Sequence, residues 1–308
     1  MRVEDVSFYS EGDRVSAILR LPDRTEGAPY PAVVQGPGWL GLKDAQLYLP
    51  YHEALTAAGI AVFILDFRGF GSSEGASDLL LPSRQLEDLV NAVTYVASRS
   101  DIDEDSIGTF GSGGTGGGNA IMLAAADSRI RCAVSQVPVA DGEDWLRRMR
   151  REYEWYELLE SLRADRAERV LTGKSRLVHP REDIMLQTPE RRTTKVKKDV
   201  DSRVPTLVQL RSVDGILAYK PIEVVGSIED APLLIVGVED DPVTPTDHAV
   251  SLYERARPPK KLLMQRHTTH YGAYAQYADT VVPQITDWFG TYLRREPVTT
   301  DHDLGATT

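Results

Sequence analysis

The chain has 308 residues, of which 42% are hydrophobic and 26% charged, a composition typical of a globular protein with a substantial core. Acidic residues outnumber basic ones by 46 to 35, and the formal net charge of −11 argues against nucleic acid and anionic membranes as partners. Cys132 stands alone, so no internal disulfide forms, and no long uncharged apolar run suggests a membrane span. We expect a cytoplasmic protein that acts on a small-molecule substrate.

Strands and helices alternate along the first half of the chain. Alternating polar and apolar residues predict a hairpin over residues 3–10 and 14–21. The predicted elements that follow are strand 32–34, helix 44–58, strand 60–65, helix 84–98, strand 107–110, a helix-like run at 119–126 and strand 131–138. This order predicts an α/β fold with a mostly parallel, doubly wound sheet.

The alternation is interrupted after residue 142. The next segment is densely charged, its first part has helical spacing, and it contains a basic patch at 191–198. It is too long for a simple connection, which indicates a helical cap or lid. The α/β pattern then resumes with strand 232–236, helix 246–257, strand 261–265 and helix 280–294. The predicted division is a core of residues 1–142 and 213–296, a cap of 143–212 and a polar tail of 297–308.

Residues 111–118 contain six glycines in eight positions between a predicted strand and a predicted helix. Three chemistries use such a turn: a dinucleotide loop, a phosphate loop and a nucleophile elbow. The dinucleotide fingerprint matches in letters, but it belongs to the first βαβ unit and needs a carboxylate ending the next strand, which is missing here. The phosphate loop needs a Gly-Lys-Ser/Thr sequence that this run does not contain.

Downstream residues favour the elbow. Strand 232–236 leads into Asp240, and the next predicted strand leads into His270. A nucleophile turn, an acid and a histidine in this chain order, each after a strand, are the α/β-hydrolase arrangement. The neighbouring Asp241 and His267 remain alternatives for the acid and the base.

Two loops carry a resemblance to a known family. Residues 35–43 (QGPGWLGLK) and 66–75 (DFRGFGSSEG) resemble the oxyanion loop and the Asp-x-Arg-Gly loop of dienelactone-hydrolase and prolyl-peptidase-like (Xaa-Pro dipeptidyl-peptidase) α/β hydrolases. The resemblance implies an α/β-hydrolase fold, no cofactor and no metal. It implies Asp240 as the acid, His270 as the base and the Trp39 N–H as an oxyanion donor. The second donor would be a backbone N–H of the glycine run, at Gly113 or Gly114.

The nucleophile departs from this family pattern. Counting along the motif from either side places the family's serine at Gly113 or Gly114, which carry no side chain. Ser112 is the nearest hydroxyl and our first candidate, Thr115 is the second, and the third possibility is that no side chain attacks.

These observations predict a hydrolase for an ester, thioester, amide or activated C–C bond of a medium-sized, partly apolar substrate. The alternatives are a non-covalent hydrolase or lyase without a side-chain nucleophile, and a pseudo-hydrolase that only binds its ligand. A homodimer is a further expectation.

Overall fold

An eight-stranded sheet organises the chain in the computed structural model, which describes residues 1–23, 28–185, 188, 202–274 and 277–293. Numbered in chain order, its strands are β1 (Arg2–Ser10), β2 (Asp13–Leu21), β3 (Tyr30–Gly36), β4 (Ala61–Leu65), β5 (Ile102–Gly113), β6 (Ile130–Pro138), β7 (Leu233–Val238) and β8 (Lys260–Gln265). Their spatial order is β1-β2-β4-β3-β5-β6-β7-β8. Only the pairs that β2 makes, with β1 and β4, are antiparallel. The predicted α/β class and mostly parallel sheet are confirmed.

Helices cover both faces of this sheet. They are α1 (Leu49–Ala57), α2 (Pro82–Ala97), α3 (Gly114–Ala126), α4 (Gly142–Arg148), α5 (Glu152–Thr172), α6 (Ser212–Leu217), α7 (Pro221–Val224), α8 (Thr246–Arg255) and α9 (Ala278–Tyr292). Helices α2, α3 and α8 contribute to the core on one face, and α1 and α9 to the core on the other. All five residues of β4 are buried, as expected for a strand covered on both sides.

The segment between β6 and β7 carries α4 and α5, and it continues in a two-residue strand, Leu177–Val178, paired with Val208–Gln209. Trp155 and Leu162 of α5 are buried against the main core. The role of residues 143–212 as a cap stays a prediction, and the basic patch at 191–198 and the tail at 297–308 lie outside the described residues. Within the described ranges, no helix combines the length and the apolar character needed to cross a bilayer.

The glycine run, predicted as a tight turn between a strand and a helix, is more regular than expected. Strand β5 continues to Gly113, and α3 begins at Gly114, so the run is almost entirely regular structure. The reason is close packing: a β-carbon on Gly116 would lie 2.9 Å from Gly38 Cα, and one on Gly117 would lie 2.6 Å from the carbonyl oxygen of Gln136. Contacts between backbones therefore outweigh the low helix propensity of glycine here.

Candidate active site

The junction between β5 and α3 forms a sharp elbow. Gly113, the last residue of β5, has φ 78° and ψ 117°, and Gly114, the first of α3, has φ 33°. A left-handed residue between a strand and a helix is the geometry of a nucleophile elbow. Gly113 therefore occupies the elbow position, and it offers no side chain there.

A buried ion-pair-like contact lies at the carboxyl ends of β7 and β8. The Oδ2 atom of Asp241 lies 2.7 Å from Nδ1 of His270, and the two side chains are 1% and 5% exposed. The Asp241 Oδ1 atom accepts hydrogen bonds from the backbone N–H groups of Val243, at 2.7 Å, and Thr244, at 3.0 Å. These bonds fix the carboxylate, so Nδ1–H of His270 has a held acceptor and the Nε2 lone pair is free to take a proton.

The predicted partner of His270 was Asp240, and the residue in contact with the ring is instead Asp241. The N–H of Glu239 still bonds to the carbonyl of Gln265, which carries the β7–β8 pairing one residue beyond Val238. Asp240 then turns the chain with φ 55°, and its side chain is exposed. The turn directs the side chain of Asp241 inward. The acid therefore lies one position later than predicted, because sequence spacing does not determine the geometry of the turn.

Tyr274 supplies a hydroxyl that the sequence reasoning missed. Its oxygen lies 3.2 Å from Nε2 of His270, and a β-carbon on Gly113 would lie 3.1 Å from the same oxygen. Burial, followed by the nearby charge of Asp241, raises the pKa of Tyr274 well above its ordinary value, so the phenol keeps its proton. The O–H group therefore donates to Nε2, as a nucleophile hydroxyl would. The available signal was its spacing of four residues from His270, on the turn after β8.

Neither predicted nucleophile forms a hydrogen bond with this ring in the described structure. Ser112 lies on β5 in register with Gln136, and strand alternation puts it on the same sheet face as Phe110, which packs near Tyr51. Its hydroxyl makes no hydrogen bond with His270. Thr115 lies in the first turn of α3, and its buried Oγ1 atom has no hydrogen-bond partner.

The loop after β3 packs directly on the elbow. A β-carbon on Gly38 would lie 2.6 Å from the carbonyl oxygen of Ser112, so only glycine allows this approach. The Gly38 N–H donates to the hydroxyl of Tyr48 at 3.1 Å, which holds the loop in place. The predicted oxyanion donors therefore lie on two segments that pack together: Trp39 on the loop after β3, and Gly113 and Gly114 at the elbow. The first N–H groups of α3 have no acceptor within the helix.

Two tryptophans form an apolar wall beside the elbow. The rings of Trp39 and Trp145 meet edge to face, with centroids 5.6 Å apart. Trp145 lies in α4, and its Nε1–H donates to the Val243 carbonyl at 2.8 Å. A β-carbon on Gly114 would lie 4.0 Å from the Trp145 ring. The Nε1 atom of Trp39 is buried and has no hydrogen-bond partner among the described residues.

Two other histidines, His267 and His248, have surroundings that indicate structural rather than catalytic roles. His267, the alternative base, is exposed after β8 with φ 56°, and it does not contact Asp241. His248 accepts the Ala140 N–H on Nδ1 at 3.1 Å and contacts Asp144 through Nε2 at 2.8 Å, which ties α8 to α4. Among the described residues, no group of three or more His, Cys, Asp or Glu side chains is arranged to hold a metal ion.

Comparison with known proteins identifies the family of this chain. The model of the X-Pro dipeptidyl-peptidase (S15) family matches residues 11–272. The chain belongs to this family. As an S15-family protein it is an α/β-hydrolase enzyme, as the sequence predicted.

Relatives of this S15-family chain have varied names. An uncharacterized 31.7 kDa protein of Escherichia coli is 29% identical over 95% of this chain and 100% of its own length. The acyltransferase drtE of Aspergillus calidoustus is 26% identical over 96% of this chain and 97% of its own. The crystal structure of the α/β hydrolase GrgF from Penicillium sp. sh18 superposes with a TM-score of 0.79 at 22% identity, covering 95% of this chain and 99% of that one. The solved structure supports the fold alone.

Proposed function

We propose that this S15-family enzyme hydrolyses an activated acyl compound, an ester or a thioester, with water as the nucleophile and His270 as the general base. One observation carries the proposal: the Tyr274 hydroxyl lies between a buried Asp241–His270 pair and an elbow position, Gly113, that has no side chain. The hydrolase class is common to the family, whereas the water nucleophile and the substrate class are specific to this proposal.

Asp241 and the burial of the pair set the tautomer and the surroundings of the base, His270. Asp241 accepts from Nδ1 and fixes the tautomer in which Nε2 carries the lone pair. Both side chains are shielded from bulk water, which strengthens their interaction when the ring gains a proton. General-base catalysis of this kind contributes about 10²–10⁴-fold to the rate.

Tyr274 bridges the water and the base in this proposal. As a water molecule near Gly113 attacks the acyl carbon, it passes one proton to the Tyr274 oxygen, and the Tyr274 O–H proton moves to Nε2 of His270. The raised pKa of Tyr274 disfavours a free phenolate, so the two transfers occur together. The tetrahedral intermediate then expels the leaving group, which takes the proton back from His270 along the same path. The products are a carboxylic acid and an alcohol or thiol.

The developing oxyanion needs donors that are already in place. Candidate donors are the first N–H groups of α3, which have no acceptor within the helix, and the loop that contains Trp39, which packs on the elbow through Gly38. Such donors contribute about 3–4 kcal/mol each when they are aligned with the transition state.

The proposed substrate class follows from the absence of a side chain at the elbow position, Gly113. Without an acyl-enzyme intermediate, a single water attack must expel the leaving group, which favours esters and thioesters over amides. The Trp39–Trp145 wall supports a partly apolar acyl group. The similarity to a full-length relative named as an acyltransferase also supports acyl chemistry.

A set of variants tests the proposal with p-nitrophenyl esters of graded acyl length. We expect His270→Gln to lose about 10²–10⁴-fold in kcat. The matched hydroxyl variants Ser112→Ala and Thr115→Val keep kcat within a few-fold of the wild type, because neither hydroxyl forms a hydrogen bond with the ring. A loss in Ser112→Ala as large as that in His270→Gln would overturn the water mechanism. Saturable ligand binding by the wild type with no turnover of any ester would instead favour a pseudo-hydrolase.

A further inference from the structure

Gln136 of β6 is a buried polar residue next to the elbow. It is in register with Ser112, the residue before Gly113, and it is 0% exposed. A β-carbon on Gly117 would lie 2.6 Å from the Gln136 carbonyl oxygen, so the first turns of α3 pack on the same residue. Gln136 therefore borders the elbow from the neighbouring strand.

The side-chain amide of Gln136 has one polar atom paired and one unpaired. Its Nε2 donates to the hydroxyl oxygen of Tyr51 at 3.1 Å, whereas its Oε1 is buried and has no hydrogen-bond partner among the described residues. Turning the amide over would exchange the two atoms and leave Nε2 unpaired instead. Buried polar atoms of this kind are ordinarily satisfied by an ordered water molecule.

The hydroxyl of Tyr274 lies in the same neighbourhood. Burial is the main cause that raises the pKa of Tyr274, and electrostatic interaction with Tyr51 is among the smaller causes, so the two phenols are close. Tyr51 lies on α1, and its ring packs against Phe110 of β5 with centroids 5.4 Å apart. Because Gln136 is bonded to Tyr51, its amide lies on the side of the elbow that carries Tyr274.

We propose that Gln136 and Tyr274 together bind the hydrolytic water, an inference that rests on the proposed function. The water donates one proton to the Tyr274 oxygen and the other to Oε1 of Gln136, and a lone pair then faces the acyl carbon. Two acceptors fix the orientation of a water that one acceptor would leave free to rotate. Only the proton shared with Tyr274 moves during the attack. Tyr51 is a positioning residue, because it holds the amide through Nε2.

Such a site discriminates between water and a simple alcohol. Methanol has a single O–H proton, and when that proton goes to Tyr274 the methyl group faces Oε1 of Gln136. The buried acceptor then stays unpaired, which disfavours methanol relative to water by about 5–100-fold. Removal of the acceptor removes this difference.

The partition of a p-nitrophenyl ester between water and methanol tests the site, with the free acid and the methyl ester quantified by chromatography. Gln136→Met should lower kcat for hydrolysis by about 10–100-fold with little change in KM, and raise the ratio of methyl ester to acid by about 5–100-fold. Tyr51→Phe keeps the ring and should shift both quantities in the same direction by smaller factors. Gln265→Met is the matched control: it changes a buried glutamine of β8 whose Nε2 donates to Thr280, and both quantities should stay at wild-type values.

A folded Gln136→Met protein with wild-type kcat and product ratio would overturn the water site. A lower kcat with an unchanged ratio would indicate a structural role and would overturn it as well. If Gln136→Met does not fold, an unchanged ratio in Tyr51→Phe has the same meaning. The proposed function fails by a different result, an acyl adduct on the wild-type protein during turnover. Without an adduct, an unchanged Gln136→Met removes only this site and leaves the water mechanism.

Discussion

The hydroxyl oxygen of Tyr274 lies 3.2 Å from Nε2 of His270, and a β-carbon on Gly113 would lie 3.1 Å from that same oxygen. The tyrosine therefore fills the space between the base and the empty elbow position. Its O–H takes the place of a nucleophile hydroxyl at the ring, while its raised pKa keeps it protonated.

Removal of this hydroxyl tests the bridging role. We expect Tyr274→Phe to reduce kcat by about 10–10²-fold with little change in KM, since only the proton path is lost. Steady-state kinetics with p-nitrophenyl acetate provides the measurement. An undiminished or increased kcat would mean that His270 takes the proton from water directly, and would remove Tyr274 from the mechanism.

Variants of the adjacent residues Asp240 and Asp241 test which of them is the acid. Asp241→Asn should lower kcat by about 10³–10⁴-fold, because the amide no longer favours the tautomer with a free Nε2 lone pair. Asp240→Asn is the matched control: it is exposed, and asparagine tolerates its positive φ, so kcat should stay close to wild type. Equal losses in the two variants would contradict the assignment of Asp241.

A nucleophile can be introduced at the elbow position. In Gly113→Ser/Tyr274→Phe the new hydroxyl enters the space that the phenol oxygen vacates, within reach of His270. We expect a fluorophosphonate to label this double variant on residue 113, and to leave Tyr274→Phe unlabelled. Peptide mass spectrometry locates the adduct. Absence of label on a folded double variant would show that Gly113 is not the elbow position.

A buried histidine away from the site predicts a pH dependence of stability. Burial, with a smaller contribution from Arg20, lowers the pKa of His52 to about 3, against about 6.5 in an unfolded chain. The unfolded state therefore binds the extra proton first. The stability linked to His52 is complete above pH 6.5 and is lost as the pH falls toward 3, by about 1.4 kcal/mol per unit.

Urea denaturation of wild type and His52→Gln at several pH values between 7 and about 4 checks this window. The variant is expected to have a lower stability at neutral pH, because a packed ring is replaced. It should also show a shallower decline as the medium becomes acidic. If the free energy of unfolding fell equally with pH in the two proteins, this would contradict a neutral His52 in the folded state.

The Asp-x-Arg-Gly loop contains a buried ion pair. Lys43 Nζ lies 2.8 Å from Asp66 Oδ2, and the carboxylate also accepts the backbone N–H groups of Lys43 and Ser72. Lys43→Met should lower the free energy of unfolding by about 3–5 kcal/mol, because it leaves a buried carboxylate without its cation. Arg257→Met breaks an exposed pair with Glu229 and should cost less than about 0.5 kcal/mol. Losses of similar size in the free energy of unfolding of Lys43→Met and Arg257→Met would show that Lys43 does not stabilise the Asp66 carboxylate.

The sequence was most informative where the hydrophobic pattern of an element agreed with what a covered parallel sheet requires. Strand β4 and helix α9 were predicted within a few residues, because a covered parallel sheet requires continuous apolar strands and amphipathic helices. His270 was predicted for the same reason: it follows the last strand, at the edge where the ends of parallel strands meet. The hydrolase class followed from that arrangement and from the two loop motifs.

Details that depend on one turn or one packing contact were not predictable. The positive φ of Asp240 moved the buried carboxylate to Asp241, and sequence spacing contains no information on that turn. The run after Phe110 was expected to be a tight turn, whereas close packing at Gly116 and Gly117 allows it to be strand and helix. Tyr274 carries no motif, and only the fold brings its hydroxyl to Nε2 of His270.

The mass of the intact wild-type protein, quenched during turnover of a p-nitrophenyl ester, tests the central claim most directly. With water as the nucleophile, the protein keeps its unmodified mass throughout turnover, while Gly113→Ser/Tyr274→Phe gains the mass of one acyl group. An acyl adduct on the turning-over wild type, located on Ser112 or Thr115, would contradict the account.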